Sequence, residues 1–223
     1  RGGVDEALGA RVAEYLGAHC QRRDTGGFAG GPQQLAHLAG TYAAVNALTI
    51  VQRTDVIDRA ALYRFLMSRK HVTGGFTMHD DGEVDVRGAY CALAVASLLG
   101  MLTDELVAGV AEHVVHCQSY EGGVSGFCGN EAHGGYAFCA VAALAIVGRL
   151  DALKAHRCLH WIAHCQMPVE GGFQGRTNKL VDACYSFWQG AAAPIVHTAL
   201  GSTVASNSSA RGADSGGGDS GGG

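Results

Sequence analysis

Helix breakers and sheet formers are both scarce in this chain. It has three prolines in 223 residues and few runs of β-branched residues, which leaves an all-helical fold as the reading. No apolar run approaches the roughly twenty residues a membrane span needs, so an integral membrane protein is excluded. Positive charge is also short, with 16 Lys and Arg against 20 Asp and Glu and a net charge of −4. The basic residues form no stripe, which argues against a nucleic-acid binder. The eight cysteines do not make a dense disulfide framework but recur in apolar or helix-end contexts. That usage points to a reducing compartment, hence a cytoplasmic protein. There is no initiator Met and no signal-like opening, and the chain starts inside an amphipathic stretch, which reads as a fragment of a longer protein. What is plentiful is apolar surface: 48% hydrophobic residues suit one domain with a sizeable core.

The chain repeats itself. Paired glycines fall at Gly26–Gly27, Gly74–Gly75, Gly122–Gly123 and Gly171–Gly172, in steps of 48, 48 and 49 residues. Three pairs follow the same triplet, His19-Cys20-Gln21, His116-Cys117-Gln118 and His164-Cys165-Gln166. Behind each pair comes a tyrosine in a small-residue run: Tyr42, Tyr90, Tyr136 and Tyr185. A fixed period of this length means one supersecondary unit stacked on copies of itself. Each copy reads as helix, glycine turn, helix. Val12, Leu16 and Cys20 recur at helical spacing in the first helix, while the second is apolar nearly all round and therefore buried. The expected architecture is an α/α barrel (toroid) or curved solenoid, with four copies over residues 1–200. The Ser/Gly-rich residues 201–223 are expected to be a disordered tail.

The fourth copy breaks the pattern. Asp182 and Cys184 are two residues apart, and at a helix start, with Asp182 as N-cap, both could converge on one zinc ion. The plainer alternative is an Asp cap followed by a buried cysteine. Arg176 and Lys179 stand one turn apart in a glycine-flanked loop before that helix, a pattern that suits a phosphate or diphosphate, or simply a solvated charge pair. His133 opens the buried helix of the third copy at what reads as the ring position of Arg87 and Asp182. In a toroid these helix starts surround one mouth. A cationic rim of Arg87, His133, Arg176 and Lys179 would then stand over a well of Tyr90, Tyr136, Cys139 and Trp188. That combination suits an amphiphile with an anionic head and a hydrocarbon tail, although ordinary core packing also explains the aromatic positions. His156, His160 and His164 step by four, but His164 belongs to the repeated triplet and is read as structural. The acidic run Asp80 to Asp85 has the wrong spacing for a magnesium motif and is set aside.

Four stretches, Leu38–Leu48, Gly82–Leu98, Glu131–Cys139 and Gly171–Gln189, resemble the β subunits of protein prenyltransferases. The resemblance spans about Cys20 to Leu200, and Phe173-Gln174 with Asn178-Lys179-Leu180-Val181 look like the farnesyl branch. It implies an α/α barrel working as a heterodimer with a separate prenyltransferase α subunit. It also implies farnesyl transfer from farnesyl diphosphate to the Cys thiol of CaaX-terminated protein substrates. Asp182 and Cys184 match two of the family's three zinc ligands. Tyr185, Lys179 and His133 match catalytic groups around the diphosphate, with Gly134, Gly135, Tyr136, Arg176, Thr177, Asn178, Ser186, Phe187 and Trp188 beside them. Arg87, Tyr90 and Cys139 match the isoprenoid and peptide pocket.

Departures from the family accompany the resemblance. The third zinc ligand, a His, has no counterpart here, and His197 lies where the family uses none. The Asp linked to Mg2+ would lie downstream. A barrel incomplete at both ends implies a chain that alone is poorly soluble and inactive. A geranylgeranyl-transferring β subunit and a non-catalytic, truncated α/α repeat scaffold are the competing readings.

Overall fold

The computed structural model describes residues 4–212, with side chains through residue 201. Asp5 accepts the Leu8 amide and starts helix α1 (Glu6–Tyr15), which runs on into a π turn at Leu16–Cys20. There follow α2 (Leu38–Ile50), α3 (Arg59–Ser68), α4 (Val86–Leu98), the short α5 (Asp104–Val107), α6 (Val110–His116), α7 (Gly134–Ile146), α8 (Ala155–His164) and α9 (Ala183–Gly212). Among the described residues β-pairing is confined to isolated bridges, of which Gln21–Phe28 and Gln166–Phe173 each close a glycine turn. No described helix is long and apolar enough to cross a membrane.

Two layers result. Helices α2, α4, α7 and α9 pack each on the next as an inner layer, and α1, α3, α6 and α8 precede them as outer helices. The burial pattern follows from the sequence. α3 buries Ala61, Leu62, Phe65 and Leu66 along one face, whereas α4 buries an unbroken run from Cys91 to Ala96. A helix apolar on every side can only lie between neighbours. Leu48, Leu93 and Leu144, one each from α2, α4 and α7, are fully enclosed, each burial worth about 1.5–3 kcal/mol. At the two ends of the row, α2 and α9 bury a single face, the latter through Gln189, Ala192 and Val196.

The glycine pair and the repeated triplet form one device. The first glycine of each pair has positive φ, 89° at Gly26 and Gly74, 105° at Gly122 and 72° at Gly171. At the first three there is also no room for a side chain, because a Cβ on Gly122 would lie 2.4 Å from the Arg157 carbonyl oxygen at the start of the next outer helix. The triplet's glutamine bolts that junction. Gln118 Nε2 donates to the carbonyls of Gly122 (2.8 Å) and Lys154 (3.2 Å), and the Lys154 amide donates back to Gln118 Oε1 (3.1 Å). Gln21 does the same between Gly26 and Asp58. In the second copy Lys70 replaces the glutamine and donates to Gly74 and Leu106; burial lowers its pKa to about 8. In the fourth copy Gln166 reaches only its own turn, at Gly171, where a Cβ would meet nothing within 4 Å. The triplet's cysteines, Cys20, Cys117 and Cys165, are buried, while His164 is exposed and stacks on His160.

One expectation differs at the C-terminal side. Residues 201–212, the first part of the stretch read as a tail, continue α9 as helix. Elongating a helix that packing has already nucleated avoids the nucleation cost that a free segment would bear. Residues 213–223 lie outside the described residues.

Candidate functional site

The four inner helices begin alike. His37 Nδ1, Asp85 Oδ1, His133 Nδ1 and Asp182 Oδ1 each accept the amide two residues on, at 3.0, 2.8, 3.1 and 2.9 Å. Four residues before each cap the backbone is left-handed, at Gln33, Asp81, Gly129 and Asn178. The rim is therefore one backbone frame used four times, with His, Asp, His and Asp at its caps. This corrects the sequence reading of Arg87. The ring position shared with His133 and Asp182 belongs to Asp85, and Arg87 sits two residues further on, level with Cys184.

The tyrosines separate into two registers by the same measure. Tyr136 and Tyr185 lie three residues after their caps, but Tyr42 and Tyr90 lie five after theirs, where the later copies have Phe138 and Phe187. Those four five-residue positions form an aromatic ladder across the inner layer. Centroids are 5.3 Å apart for Tyr42–Tyr90 and 5.4 Å for both Tyr90–Phe138 and Phe138–Phe187. The Tyr42 and Tyr90 hydroxyls share a hydrogen bond of 3.1 Å, and Trp188 packs on Phe138 and Phe187 at the far end. Cys139 lies buried on α7, its thiol pushed up to about 12 by burial.

Tyr136 and Tyr185 instead flank His133. The His133 Nδ1 accepts a backbone N–H, so in the neutral ring the proton is on Nε2, which faces the Tyr185 hydroxyl at 3.0 Å. Burial first, and then the Arg176 charge, lower the His133 pKa and favour that neutral ring. With Nε2–H donating to the phenol oxygen, the Tyr185 O–H is left to donate elsewhere. Two glycines make room for the tyrosine: a Cβ on Gly175 would lie 2.0 Å from Tyr185 Cζ and one on Gly134 2.9 Å from its Cδ1. The Gly134 amide donates to the Gly175 carbonyl at 2.8 Å, which joins the third and fourth copies at this point.

A cavity of about 340 Å³ opens here, lined by Gly126, Phe127, Asn130, Glu131, His133, Tyr136 and Arg176. Arg176 and His133, from different copies, are thus brought together, and Gly135 lies against the His133 ring. Arg87 approaches the face of Tyr136 at 5.6 Å, yet its guanidinium is engaged by Asp85 and Glu83. Lys179 is exposed and outside this lining; its amide closes a turn on Arg176 at 3.2 Å. Thr177 donates to Glu121 at 3.4 Å, and Ser186 is exposed on α9. Glu131, Asn130 and Phe127 were not picked out from sequence, although Glu131 opens the quoted stretch Glu131–Cys139.

Asp182 and Cys184 do converge. Their hydrogen bond pushes the Cys184 thiol up, and Asp182 is held below the usual carboxylate range by the Cys184 amide. The plainer alternative holds for the cap and fails for the cysteine, which is exposed. A thiol and a carboxylate on one helix start are suitable zinc donors, but among the described residues no group of three or more His, Cys, Asp or Glu side chains is placed to hold a metal.

A row of inner helices whose starts share one mouth, above a ladder of aromatic rings, is the architecture of an α/α toroid with its chemistry at the rim. The chain belongs to the prenyltransferase alpha-alpha toroid family, whose domain matches residues 4–213. It is 48% identical to a protein farnesyltransferase subunit beta from Pisum sativum, over 86% of this chain and 46% of that protein. It is 38% identical to a geranylgeranyl transferase type-2 subunit beta from Saccharomyces cerevisiae, over 73% of this chain and 52% of that protein. In fold it is similar to a Candida albicans protein geranylgeranyltransferase-I solved with GGPP, with a TM-score of 0.69 at 22% identity, covering 85% of this chain and 62% of that one. The chain thus spans about half the length of these curated relatives.

Proposed function

We propose that the chain is the catalytic region of a protein farnesyltransferase β subunit, which transfers farnesyl from farnesyl diphosphate to the Cys thiol of a C-terminal CaaX sequence. The observation that carries this reading is one cavity lined by a guanidinium and a half-buried imidazole, with the Tyr185 hydroxyl bonded to that imidazole and a ladder of aromatic rings in the same inner layer. In the transfer a sulfur–carbon bond forms at farnesyl C1 and the C1–oxygen bond breaks. The thiol proton goes to solvent and the electron pair leaves on the diphosphate. Arg176 would meet that growing negative charge with a full positive one, and the Tyr185 O–H would add a donor held in place by His133. Lys179, in the same loop, would close over the head group on binding. The ladder offers apolar surface for the hydrocarbon and π faces for an allylic cation.

Zinc would be held by Asp182 and Cys184 with a further ligand from outside the described residues; when bound, it would lower the substrate thiol's pKa into the neutral range. No Mg2+ ligand is assigned among these residues. The farnesyl branch is favoured over the geranylgeranyl one by Phe173-Gln174, Asn178–Val181 and the higher identity to the pea protein. A separate α subunit would complete the enzyme. Eight free cysteines suit the reducing cytoplasm.

The test is transfer to a CaaX peptide by the assembled α/β enzyme, with farnesyl or geranylgeranyl diphosphate, read by mass spectrometry. Faster farnesyl transfer is expected, together with loss of transfer and of bound zinc in Cys184→Ser. Preference for geranylgeranyl would move the chain to the sister branch. No transfer with either lipid, and no diphosphate binding, would leave a repeat scaffold.

A further inference from the structure

Arg176 has a carboxylate partner from the neighbouring copy. Its NH1 donates to Glu131 Oε2 at 3.3 Å, and the two side chains are 45% and 44% exposed. Both line the same cavity, so an anion seated on Arg176 lies beside this carboxylate and competes with it for the guanidinium. Among the described residues this pair is the one polar contact of the Glu131 side chain, and an exposed single-contact ion pair is weak and easily exchanged. Arg87 shows what a permanent pair at this rim looks like: Nε and NH2 both bond to Asp85, which is fully buried, and NH2 also reaches Glu83.

We propose that Glu131 is a selectivity residue that acts through Arg176, competing for the guanidinium and repelling an anion more strongly the greater its charge. The proposal rests on the diphosphate reading of the cavity. Repulsion from a fixed carboxylate grows with the charge on the ligand. Free diphosphate carries more charge than its prenyl ester and has no hydrocarbon to anchor it on the aromatic ladder. Glu131 therefore weakens the leaving diphosphate more than the substrate and speeds clearance of the site after transfer. His133 and Tyr185, which bond to each other rather than to Glu131, keep their arrangement when Glu131 is neutralised.

The experiment is calorimetric titration of the full protein with inorganic diphosphate and with farnesyl diphosphate, for wild type, Glu131→Gln, Glu131→Asp and Arg176→Gln. Glu131→Gln is expected to bind inorganic diphosphate about tenfold more tightly and farnesyl diphosphate about threefold more tightly, with both gains shrinking in 0.5 M salt as roughly expected for screened charge. Glu131→Asp should stay near wild type, and Arg176→Gln should weaken both ligands. Unchanged or weaker diphosphate binding in Glu131→Gln overturns the proposal while leaving the site reading intact. Failure of wild type to bind either ligand overturns both.

Discussion

The rims of the second and fourth copies share a backbone and differ in what their charges touch. In the second copy Asp85 is completely buried, caps α4 and grips Arg87, whose own pKa is driven up by that bond. In the fourth copy Asp182 caps α9 from an exposed position, Cys184 stands where Arg87 stood, and Arg176 makes one loose contact to the neighbouring copy. A charge satisfied within its own copy holds the fold together. One that borrows an exposed partner from the next copy can give that partner up to a ligand. The same frame thus carries a buried, internally satisfied carboxylate at one position and an exposed one at another.

The largest expected effect tests the structural side. Asp85→Ala removes a buried cap together with its charged hydrogen bonds to Arg87 and should cost about 2–5 kcal/mol in urea unfolding, whereas Asp182→Ala loses only an exposed cap and should cost about 1 kcal/mol. Equal losses would show that burial is not the difference. Next come the glycine turns. Gly122→Ala adds a clash with the Arg157 carbonyl to a strained φ and should cost about 2–4 kcal/mol. Gly171→Ala faces open space and should cost only the strain, about 1–2 kcal/mol. The glutamine bolts give a smaller contrast: Gln118→Ala loses three hydrogen bonds and should cost about 1–2 kcal/mol, against about 0.5 kcal/mol for Gln166→Ala, which loses one. Comparable values would mean that the bolt to the next outer helix contributes nothing.

Smallest is Tyr185→Phe, at no more than about 0.5 kcal/mol, with a change in the His133 ring resonances by NMR. That residue also sets a pH dependence. Burial lowers the pKa values of His37, His113 and His133, so the folded state prefers the neutral rings. Their contribution is complete above the ordinary imidazole value, about 6.5, and is lost as pH falls through the lowered folded values. Urea midpoints should therefore drop on acidification below about pH 6.5, and a rise over that range would contradict the assignment.

Much of this was legible in the residues. The glycine period announced the repeat, the small apolar runs announced the buried layer, and the fourth copy's departure marked one side of the site. The rim register was not legible, because counting from tyrosines mixes positions three and five residues after the cap, and only the accepted amide identifies the cap itself. Arg87 was consequently placed one step off the ring. Glu131 went unnoticed because its importance lies in a contact with a residue 45 positions away.

The sequence by itself determined the helical class, the period, the reversal at each glycine pair and the chemical identity of the rim, since these depend on backbone freedom and on apolar spacing along the chain. Only the tertiary structure decided which charge is buried and which is lent across copies, which aromatic joins the ladder and which flanks His133, and that Cys184 faces outward. Those outcomes depend on what an adjacent copy places within a few ångströms, and neighbours in space are set by packing rather than by order along the chain.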